Sequence, residues 1–122
     1  MTVTRRADLD FTDYPGRESA DPLATGDAAS SARVVRLRRE RGRSAHRHPH
    51  SEEVVYVIAG SGYVWIDGAR HPVAAGDVVH IPQGATHATV PDEGIDMELM
   101  CFFPHPNLAQ NLEETDTPVG GG

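Results

Sequence analysis

The sequence predicts an all-β protein: a single antiparallel double-sheet barrel of the jelly-roll type, with little or no helix. Three observations carry this expectation. Eight short runs have strand character, namely VVRLRR, SAHRH, EVVYVIA, GYVWIDG, RHPVA, DVVHIP, HATV and MELMCFF. The segments between them are turn-formers, including Gly-Ser-Gly, Asp-Gly, Ala-Gly-Asp and Pro-Gln-Gly. Between these turns no interval is left for a helix of about twelve residues. Many short strands joined by tight turns build a closed barrel or paired sheets whose side chains alternate inward and outward.

Taken in order, residues 1–31 are rich in Asp, Ala, Ser, Gly and Pro without periodicity, and read as an extended or partly disordered N-terminal arm. Its length fits a strand exchanged with a partner subunit. The barrel is expected over 32–104. Its first strand alternates Val35 and Leu37 with Arg36 and Arg38, which predicts one apolar face and one solvated or salt-bridged face. SAHRH follows, and Pro49 cannot donate a ladder hydrogen bond, so that strand should end near His48, with PHSE as the turn. In EVVYVIA, Glu53 shares a face with Val55 and Val57. Asp67-Gly68 between YVWI and RHPV suits a two-residue type I′ hairpin. In DVVHIP, Val79 and Ile81 are the inward candidates. The last strand is expected to point Met97, Leu99, Cys101 and Phe103 inward, making an apolar wall. Residues 105–122, HPNLAQNLEETDTPVGGG, read as a mostly disordered acidic tail.

The bulk properties exclude several functions. A chain of 122 residues can bury one core without disulfides. Its single cysteine, Cys101, lies in the apolar run MELMCFF, where a buried thiol in a reducing cytosol is expected. No apolar signal segment and no membrane span is visible, which predicts a soluble, cytoplasmic protein. Net charge is -7, against nucleic-acid binding, although seven of the eleven basic residues, all arginine, fall between Arg33 and Arg47. Without lysine, no Schiff-base chemistry is available.

The chemistry concentrates in AHRHPHSEEVVYVIAG. Residues two apart share a strand face, so His46 pairs with His48 or His48 with His50, and the turn at Pro49 favours the first pair. An antiparallel return then brings Glu53 beside them, within reach of one cation. A second constellation, GDVVHIPQGATHATV, turns at Pro82-Gln83-Gly84 and offers His87 as a fourth candidate across the same barrel mouth.

These two stretches resemble the motifs of small single-domain cupins. The first, HxHxxxxE with a glycine after six intervening residues, is met by His46, His48, Glu53 and Gly60; the second, GxxxxxPxGxxH, by Gly76, Pro82, Gly84 and His87. The match spans residues 33 to 103. A glycine expected before the first histidine is displaced to Gly42, and an asparagine sometimes found after the last is replaced by Pro91. The resemblance implies that His46, His48, Glu53 and His87 bind one divalent transition metal, with Fe(II) favoured and Zn, Mn, Ni or Co accepted by the same ligand types. Four protein ligands leave positions open for substrate or oxygen.

Three functions follow as expectations. The leading one is an oxygenase acting on a small, partly apolar, metal-chelating substrate. The second is a redox-neutral Lewis-acid enzyme, such as an isomerase, decarboxylase or polyketide cyclase. The third is a non-catalytic binding protein. Acid-base candidates are His50, Tyr56 and His80, with Tyr63 behind them. His50 also reads as a turn residue, His80 as an outward or interface residue, His71 as surface strand, and Tyr56, Tyr63 and Trp65 as core or interface aromatics. Glu52, on the opposite face to Glu53, should be solvated or paired with an arginine. Resemblance to this family also implies a homodimer. No cofactor besides the metal is expected, because phosphate loops and nucleophile elbows are absent.

Overall fold

The computed structural model describes residues 2–24, 27–38, 44–117 and 119. Eleven strands are present among them: β1 (Thr12–Tyr14), β2 (Arg17–Ala20), β3 (Ser31–Leu37), β4 (His46–Arg47), β5 (Glu53–Ala59), β6 (Ser61–Ile66), β7 (Ala69–Ala74), β8 (Val78–Ile81), β9 (His87–Pro91), β10 (Met97–Phe103) and β11 (Glu113–Glu114). They form two antiparallel sheets, β1-β2-β3-β10-β5-β8 and β11-β4-β9-β6-β7. The only helical segments described are three-residue 3-10 turns, Arg6–Asp8 and Leu108–Gln110, which agrees with the expected all-β class. None could cross a membrane.

Period-two alternation decides which side chains fill the space between the sheets. Val55 and Val57 of β5 are buried while Tyr56 between them is exposed. Met97, Leu99, Cys101 and Phe103 are all buried, so β10 presents the apolar wall expected of it. With Leu37 and Ile81 they make the main core, and Ala45, Trp65 and Ala88 form a smaller cluster in the second sheet. The β6–β7 hairpin closes through Asp67 and Gly68, both at positive φ (48° and 89°), as a type I′ turn requires. Pro72 lies in β7, at the edge of its sheet, where its missing N–H is tolerated.

Two segments depart from expectation. Part of the lead, read as an extended or partly disordered arm, forms the hairpin β1–β2 and extends the first sheet, with Arg17 opposite Leu37 and Ala20 opposite Val34 of the same chain. The physical reason lies on β3. Its charged face needs partners, and the hairpin brings them: Asp13 and Glu18 pair with Arg38 at 2.6 and 2.8 Å. Arg36 lies over the Phe11 ring at 3.9 Å and reaches Glu98 at 3.6 Å. Backbone pairing also covers what would be an open edge of β3. The tail, read as mostly disordered, carries the second 3-10 turn and the two-residue β11, which pairs with β4. Gly42, Arg39, Arg41, Arg43 and the final glycines lie outside the described residues.

Candidate metal centre

The four residues of the two motifs come together between the sheets. His46 lies in β4 directly opposite His87, the first residue of β9. His48 follows β4 by one residue, and Glu53 opens β5 in the facing sheet. Strand parity thus places His46, His48 and Glu53 as expected, and the turn at Pro82–Gly84 delivers His87. Ring centroids are 5.3 Å apart for His46 and His48, 4.4 Å for His46 and His87, and 5.1 Å for His48 and His87. One ligand atom from each of the three histidines lies within 4.8 Å of the others. Oε1 of Glu53 is 3.2 Å from His48 Nε2 and 2.9 Å from His87 Nε2.

The hydrogen bonds on the far side of each ring define what this cluster can hold. His48 Nδ1 is 2.8 Å from the main-chain carbonyl of Asn111, and His87 Nδ1 is 2.8 Å from that of Ala85. A carbonyl can only accept, so both Nδ1 atoms carry the proton and donate. In the neutral rings each Nε2 is then a lone pair aimed at a carboxylate oxygen. His48, His87 and Glu53 are at most 4% exposed, and neither Nε2 nor Oε1 makes a well-formed hydrogen bond. Short N···O approaches without hydrogen-bond geometry leave three buried acceptors converging on one point. Such a group is unfavourable unless a cation or added protons sit among them. Imidazole nitrogens with one carboxylate oxygen are a donor set for a divalent transition metal, and the Nδ1–carbonyl bonds are the outer contacts that orient such ligands. Burial alone would raise the Glu53 carboxyl. Where added protons on the Nε2 atoms of His48 and His87 face Oε1, hydrogen bonding and charge more than offset this and hold the carboxyl well below the usual carboxylate range.

The cluster stands at one side of a cavity of about 270 Å³. Val35, Leu37, Val55, Leu99, Cys101 and Phe103 form its apolar wall, and the Phe103 ring packs 4.6 Å from His48. Tyr14, Arg17 and Ser19 of the β1–β2 hairpin line it as well, with Arg33 of β3 and with Leu108, Ala109 and Leu112 of the C-terminal segment.

None of the three acid-base candidates His50, Tyr56 and His80 lines the cavity. His50 is exposed and stacks on His105, with ring centroids 5.8 Å apart. Tyr56 is 46% exposed, because its parity in β5 is opposite to that of Glu53 and Val55. His80 faces solvent and meets Glu52 Oε1 at 3.0 Å, so Glu52 is solvent-exposed, one of its two expected states, with a histidine as its partner. Tyr63 lies beneath the Arg70 guanidinium at 3.9 Å.

Besides the lining residues of the hairpin and the C-terminal segment, Arg33 and Asn111 escaped the sequence reading. Arg33 was legible, since it shares parity with Val35 and Leu37. Asn111 was not. It is fully buried, its carbonyl holds His48, its Oδ1 accepts from the His50 N–H, and its Nδ2 donates to Ser51 Oγ, both at 2.8 Å.

Residues 33–103 match the family model described as the Cupin domain. Protein SchB of Streptomyces halstedii is 31% identical over 106 residues, covering 83% of this chain and 77% of that protein. Polyketide synthase CurC of Streptomyces cyaneus is 32% identical over 102 residues, covering 80% of this chain and 65% of that protein. The polyketide cyclase RemF from Streptomyces resistomycificus superposes with a TM-score of 0.75 at 20% identity, over 98% of this chain and 90% of that one. The same fold is shared with oxalate decarboxylase from Lactobacillus farciminis, of which this chain spans only 34% (TM-score 0.72, 24% identity, 88% of this chain).

Proposed function

Because the chain belongs to the cupin family, we propose that it is a metal-dependent enzyme acting on a small molecule, and that its reaction is redox-neutral. The proposed substrate is of polyketide type, with neighbouring carbonyl or phenolic oxygens, and the reaction closes or rearranges its carbon skeleton. The observation that carries this reading is the convergence of His48 Nε2, His87 Nε2 and Glu53 Oε1 at the side of an apolar cavity. The similarity to a polyketide synthase of Streptomyces cyaneus supports the substrate class.

In this reading His46, His48, Glu53 and His87 hold the ion, and Glu53 offsets one of its two positive charges. A divalent metal supplies Lewis acidity toward substrate oxygens when bound. The rest is the work of the chain. The Nδ1 contacts of His48 and His87 fix the direction of each ring. Leu99, Cys101 and Phe103 pack against the apolar part of the substrate and exclude water from it. The acid-base candidates stand outside, and the wall is mostly apolar. That suits a substrate already reactive enough to cyclise, whose course is set by orientation and dryness more than by a dedicated proton carrier.

The test is reconstitution of chelator-treated protein with Fe, Mn, Co, Ni or Zn, metal analysis, and incubation with a linear aromatic triketone under air and under nitrogen. Ring closure at equal rates in both, with loss of water or no change of mass, is the expected result. An oxygenase is the second reading, favoured by a ligand set that leaves coordination positions open. It requires turnover with iron, oxygen consumption and no reaction under nitrogen. A homodimer belongs to the same proposal, and light scattering tests it.

A further inference from the structure

Arg33 is anomalous in its surroundings. It shares the inward parity of Val35 and Leu37 on β3 and lines the same cavity as His48 and Glu53. Its side chain is only 24% exposed, beside an otherwise apolar wall. A guanidinium withdrawn from water is costly unless its donors are satisfied. The contacts described for it are the carbonyl of Ala32 at 2.7 Å and Asp21 Oδ2 at 3.3 Å, both through Nη1. Asp21 is itself 39% exposed, and its Oδ1 already accepts from the Leu23 N–H. A guanidinium carries five donors in a planar fork that matches a carboxylate. Nη1 alone accounts for two of them.

The register locates Arg33 relative to the metal cluster. Arg33 stands opposite Cys101 of β10, which stands opposite Val55 of β5, and Val55 is two residues from Glu53 on the same face. Arg33 and the Glu53 strand are thus two strand spacings apart, roughly 10 Å between backbones. Cys101, with Phe103 two residues further along β10, fills the wall between them.

We propose that Arg33 is the anion-recognition residue of this cavity, and that the substrate carries a carboxylate remote from its metal-binding oxygens. This rests on the metal-centre reading above and specifies the substrate class for it: a dicarbonyl or phenolic compound with an acid group separated by a short apolar span. Arg33 positions the substrate, and discriminates the acid from its ester or decarboxylated form, because a neutral ligand leaves the fork unpaired.

The test uses calorimetric titration of the metal-loaded protein with three probes: succinylacetone, a β-diketone bearing a carboxylate; its methyl ester; and acetylacetone. The acid should bind at least about tenfold more tightly than the ester. Arg33→Met and Arg33→Gln should abolish that preference while leaving acetylacetone binding unchanged, and Arg33→Lys should keep part of it. Arg17→Met, at a residue stacked over the Tyr14 ring, is the comparison. Equal binding of acid and ester by the unaltered protein overturns the proposal, and this outcome needs no variant to fold. So does a preference that survives Arg33→Met or is lost only in Arg17→Met. If acetylacetone binds and the acid gains nothing, this inference alone fails. If none of the three binds with metal in place, the chelating-substrate reading fails with it.

Discussion

The main-chain carbonyl of Asn111 accepts the Nδ1–H of His48 at 2.8 Å, tying a buried imidazole to a residue 63 positions later. The Asn111 side chain locks the same loop through the His50 N–H and Ser51 Oγ. Asn111→Ala removes both side-chain bonds and lets the carbonyl drift. Metal affinity should fall about 10–100-fold, as for other outer contacts of ligand histidines, and stability by about 1–3 kcal/mol. Asn111→Asp keeps the acceptor and loses the Nδ2 donor, so it should fall between. Chelator competition and urea denaturation measure the two effects separately.

Glu53→Gln preserves shape and removes the carboxylate that contacts His48 and His87. Metal content after reconstitution should drop from stoichiometric to near background. Metal addition should stabilise the unaltered protein by about 2.7 kcal/mol at a hundredfold excess over Kd. The variant should show almost none of this, and differential scanning fluorimetry with and without chelator reads it.

The acid limb of stability should also report on Glu53. Its folded-state pKa is lowered, so its contribution is present above the unfolded carboxylate value, about 4.3, and is lost as pH falls through the folded one. In metal-free protein, the urea midpoint of the wild type should therefore fall more steeply below about pH 4 than that of Glu53→Gln. Parallel curves would show that Glu53 has the same pKa folded and unfolded.

Gly60 and Gly68 should respond differently to alanine. Both have positive φ, 86° and 89°. A Cβ on Gly60 would lie 2.3 Å from the Asp96 carbonyl oxygen, whereas one on Gly68 would meet nothing within 4 Å. Gly60→Ala should cost about 2–4 kcal/mol from strain plus overlap, and Gly68→Ala about 1 kcal/mol from strain alone. Thermal unfolding of the two variants distinguishes them.

Particular residues show where sequence reasoning reached and where it stopped. Parity in β5 separated Glu53 and Val55 from Tyr56, and parity in β10 separated Leu99 and Cys101 from Phe102, because a strand's alternation is local and needs only the neighbouring residues. The same rule puts the Tyr56 phenol on the outer face, yet Tyr56 was kept as an acid-base candidate for its chemistry, and the structure shows it exposed. Arg33 obeyed that rule too, but it entered only as one of the clustered arginines and was given no role. The hairpin β1–β2 was missed because its stability comes from pairing with β3 and from Arg36 and Arg38, not from any apolar pattern of its own.

The sequence by itself therefore determined the class of fold, the Asp67–Gly68 turn, the inward face of most strands, and the spacing that brings His46, His48, Glu53 and His87 to one barrel mouth. These depend on backbone geometry repeated every two residues and on turns of two or three. Tertiary structure alone decided that Asn111 orients His48, that the β1–β2 hairpin and the C-terminal segment wall the cavity, and that Glu52 meets His80. Each of those contacts joins residues far apart in the chain, and its existence follows from the path the chain takes between them.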